Sequence, residues 1–221
     1  CDTIGGMTIW YTSDLHFGHE SGATKHRRFS SVDEMNALLI ANWNATVGAD
    51  DQVWILGDFA MGKIAQTLEI ARSLNGNKRL IPGNHDRCSL SHHSEHETPT
   101  KRARWMQWVE AYEAVGLHVH QVESMHGFAM PNVELGGRKT WMSHFPPYGD
   151  HTDKERYAEF RPIIPAGDWS IHGHVHGLWR SRDRMINVGV DQWGFKPVSE
   201  DQIAALIAAS DTEMHSGPVV V

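Results

Sequence analysis

Met7-Thr8-Ile9-Trp10-Tyr11-Thr12-Ser13-Asp14-Leu15-His16-Phe17-Gly18-His19 is a run of β-branched and aromatic residues that ends in a carboxylate, two imidazoles and a glycine. Its first seven residues read as a short buried strand, and the polar stretch as the loop at its end. The same event recurs twice downstream. Gln52–Leu56 (QVWIL) runs into Gly57-Asp58, and Arg79–Ile81 runs into Pro82-Gly83-Asn84-His85-Asp86. Three strand ends in succession each deliver a polar cluster, which is how α/β sheets build sites on loops beyond the carboxyl ends of their strands.

Helical signals separate these strands. Ser31 and Glu34 form a capping box ahead of a helix over Val32–Val47, with Met35, Leu38, Leu39 and Trp43 at helical spacing. A second helix is predicted over Lys63–Leu74, closed by Asn75-Gly76. Ser89–Thr100 reads as a polar surface loop, and Ala103–Val115 as an amphipathic helix ended by Gly116. Strands follow at Leu117–Glu123, Phe128–Leu135, Lys139–Ser143, Asp168–Ile171 and Arg184–Val190, with a turn at Gly136-Gly137. Ser199 and Gln202 cap a last helix through Ala209. The order βαβαβ followed by a strand-rich half implies an α/β fold of two stacked sheets flanked by helices. It is expected to be one domain, 7–209, with residues 1–6 a remnant of cloning ahead of Met7 and 210–221 a flexible tail.

The formal net charge of −7 argues against a surface that wraps nucleic acid by bulk charge. Two bound divalent cations would cancel about four of those charges. With two cysteines, Cys1 at an extreme terminus and Cys88, a disulfide framework is not expected, and a reducing, cytoplasmic setting is. Neither a signal peptide nor an apolar run long enough for a membrane span is present, so no membrane partner is expected. Sixteen histidines in a chain of 221 residues point toward metal.

Five separated blocks hold the candidate ligands: Asp14-x-His16, Gly57-Asp58, Gly83-Asn84-His85-Asp86, His144 and Gly173-His174-Val175-His176. In extended chain, residues two apart project to the same side, so Asp14 with His16, and His174 with His176, are expected to share a site. Mixed carboxylate and imidazole ligands suit Mn²⁺, Fe or Zn²⁺ better than Ca²⁺. His172 reads as structural, because it points opposite to a neighbour one residue away. The trio His92, His93 and His96 reads as a solvated loop rather than a third metal site. Of nine tryptophans, Trp10, Trp43, Trp54 and Trp141 are expected in the core, and Trp179 and Trp193 nearer the mouth of the site, where they could stack on a base. Cys88 reads as an ordinary buried thiol.

The five blocks, in this order, resemble the signature of the calcineurin-like metallophosphoesterases, and DLHFGH and NVGVDQW are similar to small bacterial and phage members. The resemblance implies a four-layer α/β/β/α sandwich of two mixed sheets, and two divalent metal ions with Mn²⁺ favoured. It implies that Asp14, His16 and His176 bind one metal, that Asn84, His144 and His174 bind the other, and that Asp58 bridges them. It further implies a metal-bound hydroxide as nucleophile. His85 is expected to stabilise the phosphate and protonate the leaving oxygen, and Asp86 to hold the His85 ring. Serine at position 143, where many relatives have glycine, leaves the His144 assignment standing. His19 and Arg87 are candidates for contact with substrate phosphate. The favoured activity is a phosphodiesterase for a small phosphate ester, a nucleotide such as a cyclic or 2′,3′-cyclic species, because the chain has no capping domain and no basic groove. A DNA or RNA nuclease is the nearest alternative, and its positive face would have to come from Lys25-His26-Arg27-Arg28 or Lys101-Arg102-Ala103-Arg104. A phosphomonoesterase or protein phosphatase comes third, and a metal-free, non-catalytic scaffold is the alternative from another class.

Overall fold

A computed structural model describes residues 6–89, 91, 98–120, 130–154 and 156–215, with side chains described through 210. Strands β1 (Ile9–Thr12), β2 (Gln52–Ile55), β3 (Asn77–Leu80) and β4 (Leu117–Val119) run parallel, in that order. β1 brings Tyr11 opposite Trp54 on β2, and β2 brings Ile55 opposite Leu80 on β3. A second sheet holds β5 (Asn132–Leu135), β6 (Arg138–Met142), β7 (Trp169–His172), β8 (Ser181–Arg182) and β9 (Met185–Asn187), in the order β5-β6-β7-β9-β8. Its β6-β7-β9 centre is parallel and both edges are antiparallel. β10 (Val198–Ser199) returns to pair antiparallel with β1, so both sheets are mixed.

Helices α1 (Val32–Thr46), α2 (Ile64–Thr67) and α3 (Pro99–Ala114) cover the outer face of the first sheet. There Met35, Leu39 and Trp43 of α1, at four-residue steps, bury against Val53, Ile55 and Leu80. Leu38, expected on that apolar stripe, is exposed, because the next residue around the helix already faces the core. Between the sheets, Tyr11, Leu56 and Ile81 meet Leu135, Met142, Trp169, Ile171 and Ile186, with Ile203 and Ile207 of α4 (Glu200–His215) joining them. α4 packs on β10, β1 and β5, completing the expected α/β/β/α succession.

The capping residues act as the sequence indicates, with one difference. Ser31 accepts from the Glu34 amide, but the Glu34 carboxylate reaches back to the amide and hydroxyl of Ser30 rather than to Ser31. The predicted helix over 63–74 is instead the single turn α2 followed by a 3₁₀ stretch at Leu68–Ser73. Leu68, Ala71 and Leu74 are its buried residues, and their three-residue period matches a 3₁₀ helix rather than an α-helix. α3 begins four residues before the predicted Ala103, because Thr98 caps it through the Lys101 amide and Pro99 occupies the first turn. The short strands β8 and β10 carry no sequence signal, having two residues each. His92, His93, His96, residues 1–5, most of the predicted strand extensions at 120–129 and the tail beyond 215 lie outside the described residues. Among the described residues no helix is long and apolar enough to cross a membrane.

Trp43 is 1% exposed, stands at the centre of the first core and donates its indole N–H to the Asn75 carbonyl. Trp43→Ala is expected to cost about 3–5 kcal/mol of stability, read from urea unfolding. A loss under about 1 kcal/mol would mean that the α1 face is not the sheet's main cover.

Candidate metal centre

Each of the first three strands ends in a loop that lies against the next. The Asp14 amide donates to the Gly57 carbonyl, and His16 and Phe17 donate to Asp58 and Phe59. These contacts need backbone conformations that side chains resist. Asp14, His16, Asp58, His174 and His176 all have positive φ, between 48° and 70°. The extended-chain argument for the two D-x-H-like spacings is therefore corrected. Asp14 with His16 and His174 with His176 do share a site, but through alternating left-handed residues rather than a strand pleat. Gly57 precedes Asp58 at φ 89°, and a Cβ there would lie 2.7 Å from Gly83 Cα and run into His144 Nδ1. At Gly173 a Cβ would collide with Ser13 Oγ and lie 2.5 Å from Asp14 Oδ2. Only glycine lets the loops close this far.

The side chains converge on Asp58. Its Oδ2 lies 3.7 Å from His16 Nε2, 3.6 Å from His144 Nε2 and 3.9 Å from His85 Nε2. On one side, Asp14 Oδ1 is 3.6 Å from His16 Nε2, and Asp14, His16 and His176 form one tight group. On the other, Asn84 Oδ1 is 3.1 Å from both His144 Nε2 and His174 Nδ1. The two carboxylates are used alike. Asp58 Oδ1 accepts the His85 amide and Asp14 Oδ2 accepts the His174 amide, which leaves one oxygen of each turned into the site. Asp14 Oδ1 and His16 Nε2 are buried without a hydrogen-bond partner among the described residues. Orphaned buried donors and acceptors are costly. A divalent cation with mixed oxygen and nitrogen ligands satisfies them, so the donor set fits the implied metals.

The electrostatics point the same way. Burial pushes His16 and His174 down to about 3, so both imidazoles are neutral and able to ligate. Burial, followed by the Asp14 charge, raises Asp58 to about 6, against the opposing effect of His144. His176 is the exception. Burial would lower it, but its hydrogen bond to Asp191 prevails and raises it.

Several residues that hold this arrangement were not singled out from sequence. Asp191 Oδ2 is 3.3 Å from His176 Nδ1, which orients the ring with Nε2 free. Arg27 clamps Asp191 with two bonds of 2.8 Å and donates to the Asp14 and Leu15 carbonyls. Its side chain is 6% exposed, so Arg27 faces inward and does not supply the positive face that a nuclease would need from 25–28. Asp150 Oδ2 lies 3.2 Å from His174 Nε2. Asp191 follows NVGV in a motif whose carboxylate could have been weighed as a partner for histidine. Asp150, in a loop without periodicity, gave no comparable signal.

The other expected residues divide. His19 and His85 line a cavity of about 500 Å³ together with His16, Arg27, His151, Arg156 and His176. Arg87 is exposed and does not line it. Trp179 and Trp193 do not line it either; Trp193 bonds the Asn187 carbonyl and packs on the inter-sheet core. Asp86 was expected to hold the His85 ring. Its fully buried carboxylate instead accepts the Gly83, Asp58 and Phe59 amides at 2.9, 2.7 and 3.1 Å, and the Tyr112 hydroxyl at 3.2 Å. Backbone amides at the two loop ends and the Tyr112 hydroxyl thus take every described bond of this carboxylate, and the His85 ring takes none. His172 is buried and structural as expected, bonding the Gly173 carbonyl. Cys88 is buried, and burial pushes its thiol well up.

The model of the calcineurin-like phosphoesterase family matches residues 7–178. Gene 66 protein of Mycobacterium phage L5 is 35% identical over 205 residues, which cover 90% of this chain and 93% of the relative. The uncharacterized protein MJ1445 of Methanocaldococcus jannaschii is 29% identical over 210 residues, 90% of each chain. In fold, the chain is similar to the crystal structure of AQ665, a protein of unknown function from Aquifex aeolicus. That likeness has a TM-score of 0.60 at 22% identity and covers 91% of this chain and all of that one.

Asp191→Ala is expected to weaken metal binding at Asp14, His16 and His176 by about 10–100-fold, measured by competition with a chromogenic chelator. Asp191→Asn, which retains an acceptor, should recover most of it. Equal affinity in all three proteins would show that His176 needs no such support.

Proposed function

The chain belongs to the calcineurin-like phosphoesterase family, and from that premise we propose that it is a two-metal phosphodiesterase acting on a small nucleotide, cyclic or 2′,3′-cyclic. The observation that carries this reading is the meeting of five separate sequence blocks around Asp58 Oδ2, beneath a cavity of about 500 Å³. Asp14, His16 and His176 would hold one cation and Asn84, His144 and His174 the other, with Asp58 between them. When bound, the cations supply Lewis acidity and a nucleophile drawn from water.

The chain's own residues do the rest. His85 is 42% exposed on its side chain and lines the cavity beside Asp58, where a phosphate's non-bridging oxygens would lie. Burial, followed by the His144 charge, lowers its pKa, and a bound phosphate anion would raise it again. In the protonated form it donates to a phosphate oxygen as charge develops there. As water's oxygen bonds to phosphorus and the ester P–O bond breaks, the His85 proton goes to the departing oxygen. Asp86 keeps the two loops registered so that His85 and Asp58 hold their relative positions. His19 lies on the same wall of the cavity, suited to contact the substrate.

The small-nucleotide preference rests on the cavity, whose volume suits a ligand of nucleotide size. The inward commitment of Arg27 takes one cation out of the 25–28 run, leaving the exposed Lys25, Arg28, Lys101, Arg102 and Arg104 for a basic face. Mn²⁺ is the favoured ion at both positions and a reducing cytoplasm the favoured setting, from the ligand chemistry and a sequence with two cysteines.

Chelated protein should be inactive and recover hydrolysis of bis-p-nitrophenyl phosphate, more than of p-nitrophenyl phosphate, on addition of Mn²⁺. Asn84→Ala and His85→Ala are each expected to lower kcat by about 10²-fold or more. Only Asn84→Ala should also reduce the metal content. Tight metal binding with turnover of neither ester under Mn²⁺, Fe²⁺ or Zn²⁺ would overturn the enzymatic reading in favour of a binding role.

A further inference from the structure

One wall of the cavity comes from none of the five blocks. His151, Arg156 and Tyr157 supply it, from the long connection between β6 and β7. In that connection two guanidinium groups share one carboxylate. Asp150 accepts Arg156 Nη2 at 2.8 Å and Arg161 Nη2 at 3.3 Å. The cluster therefore carries an excess of positive charge, and its placement is not symmetrical. Arg161 is 7% exposed on its side chain and also donates to the Pro146 and Gly149 carbonyls. Arg156 is 38% exposed and lines the cavity, so the excess charge faces the ligand space there.

Arg156 is also held in place. Asp150 grips it, its Nη2 lies 2.9 Å from His151 Nε2, and its Nη1 has no hydrogen bond among the described residues. The His151 ring stands 5.3 Å from that of His176, so this arm borders the candidate metal centre directly. His19 and His26 also line the cavity. Among the described residues of the lining the one acid, Asp191, is already paired with Arg27 and His176. A chain of net charge −7 thus gathers uncompensated positive charge at the one place where a substrate's remainder would sit.

We propose that the substrate carries a second anionic group in its non-reacting part, and that Arg156, supported by His151, binds it. The proposal rests on the phosphodiesterase reading and narrows its substrate class to phosphate esters bearing another anion. A buried carboxylate that fixes the guanidinium in advance lowers the ordering cost of that contact.

Two chromogenic diesters that differ by one anion test it: thymidine 5′-(p-nitrophenyl phosphate) with and without a 3′-phosphate. The wild type should favour the 3′-phosphorylated ester by about tenfold or more in kcat/KM, as a charge-assisted contact implies. Arg156→Gln should reduce that ratio to near unity, Arg156→Lys should keep part of it, and Arg72→Gln, at an exposed remote pair with Glu69, should leave it unchanged. A ratio near unity in the wild type, or one that survives Arg156→Gln, overturns the proposal. If the wild type cleaves neither ester, the phosphodiesterase reading fails, and calorimetry on the purified protein then decides this inference by itself. Thymidine 3′,5′-bisphosphate should bind about tenfold tighter than thymidine 5′-phosphate, with the advantage lost in Arg156→Gln. Equal affinities overturn it.

Discussion

The Asp86 carboxylate, fully buried, accepts backbone amides from two different strand-end loops, and the geometry of the site depends on that staple. Gly83 lies at the end of β3, and Asp58 and Phe59 lie at the end of β2. Holding all three amides on one residue fixes where Asp58 presents its free oxygen and where Asn84 and His85 project. Burial, with the Asp58 charge next, raises Asp86 to about 6, while the amide bonds oppose that rise. The Tyr112 hydroxyl, donated from α3, covers the carboxylate from the far side. A helix on the outer face of the first sheet therefore reaches the site without lining it.

A matching clamp joins the opposite half. Arg27 ties the β1 loop, through the Asp14 and Leu15 carbonyls, to Asp191 at the end of the second sheet, and Asp191 orients His176. The two sheets thus contribute to one centre through buried, hydrogen-bonded charge pairs whose loss would strand a charge in the interior. Five candidate ligands sit in left-handed backbone, a conformation that costs about 1–3 kcal/mol for a residue with a side chain. Such strain persists because strand ladders and loop-to-loop hydrogen bonds over-determine each position. It also explains why glycines stand beside the ligands, where a Cβ would force the loops apart.

Charge follows the same division between surface and site. The chain is acidic overall, yet its cavity is walled by imidazoles and Arg156, with Arg27 turned inward to serve the scaffold. The basic run Lys25 to Arg28 is therefore divided, with Lys25, His26 and Arg28 exposed and Arg27 turned inward. Which of its members faces solvent depends on a carboxylate 164 positions away.

The residues themselves determined the strand-loop rhythm, the α1 cap at Ser31, the core around Trp43, and the histidine and carboxylate blocks that meet at Asp58. These are local or periodic signals, and periodicity survives in a linear string. Only the tertiary structure decided what is non-local. It replaced a predicted α-helix with a 3₁₀ stretch whose three-residue burial suits its place on the sheet. It turned Asp86 from a support for the His85 ring into a staple for three amides. It also recruited Asp150 and Arg156, residues with no motif of their own, and gave Arg27 and Asp191 a role that their motifs did not announce. The physical reason is that a carboxylate or guanidinium acquires its role from the partner it meets on burial, and that partner is chosen by packing between elements far apart in the chain.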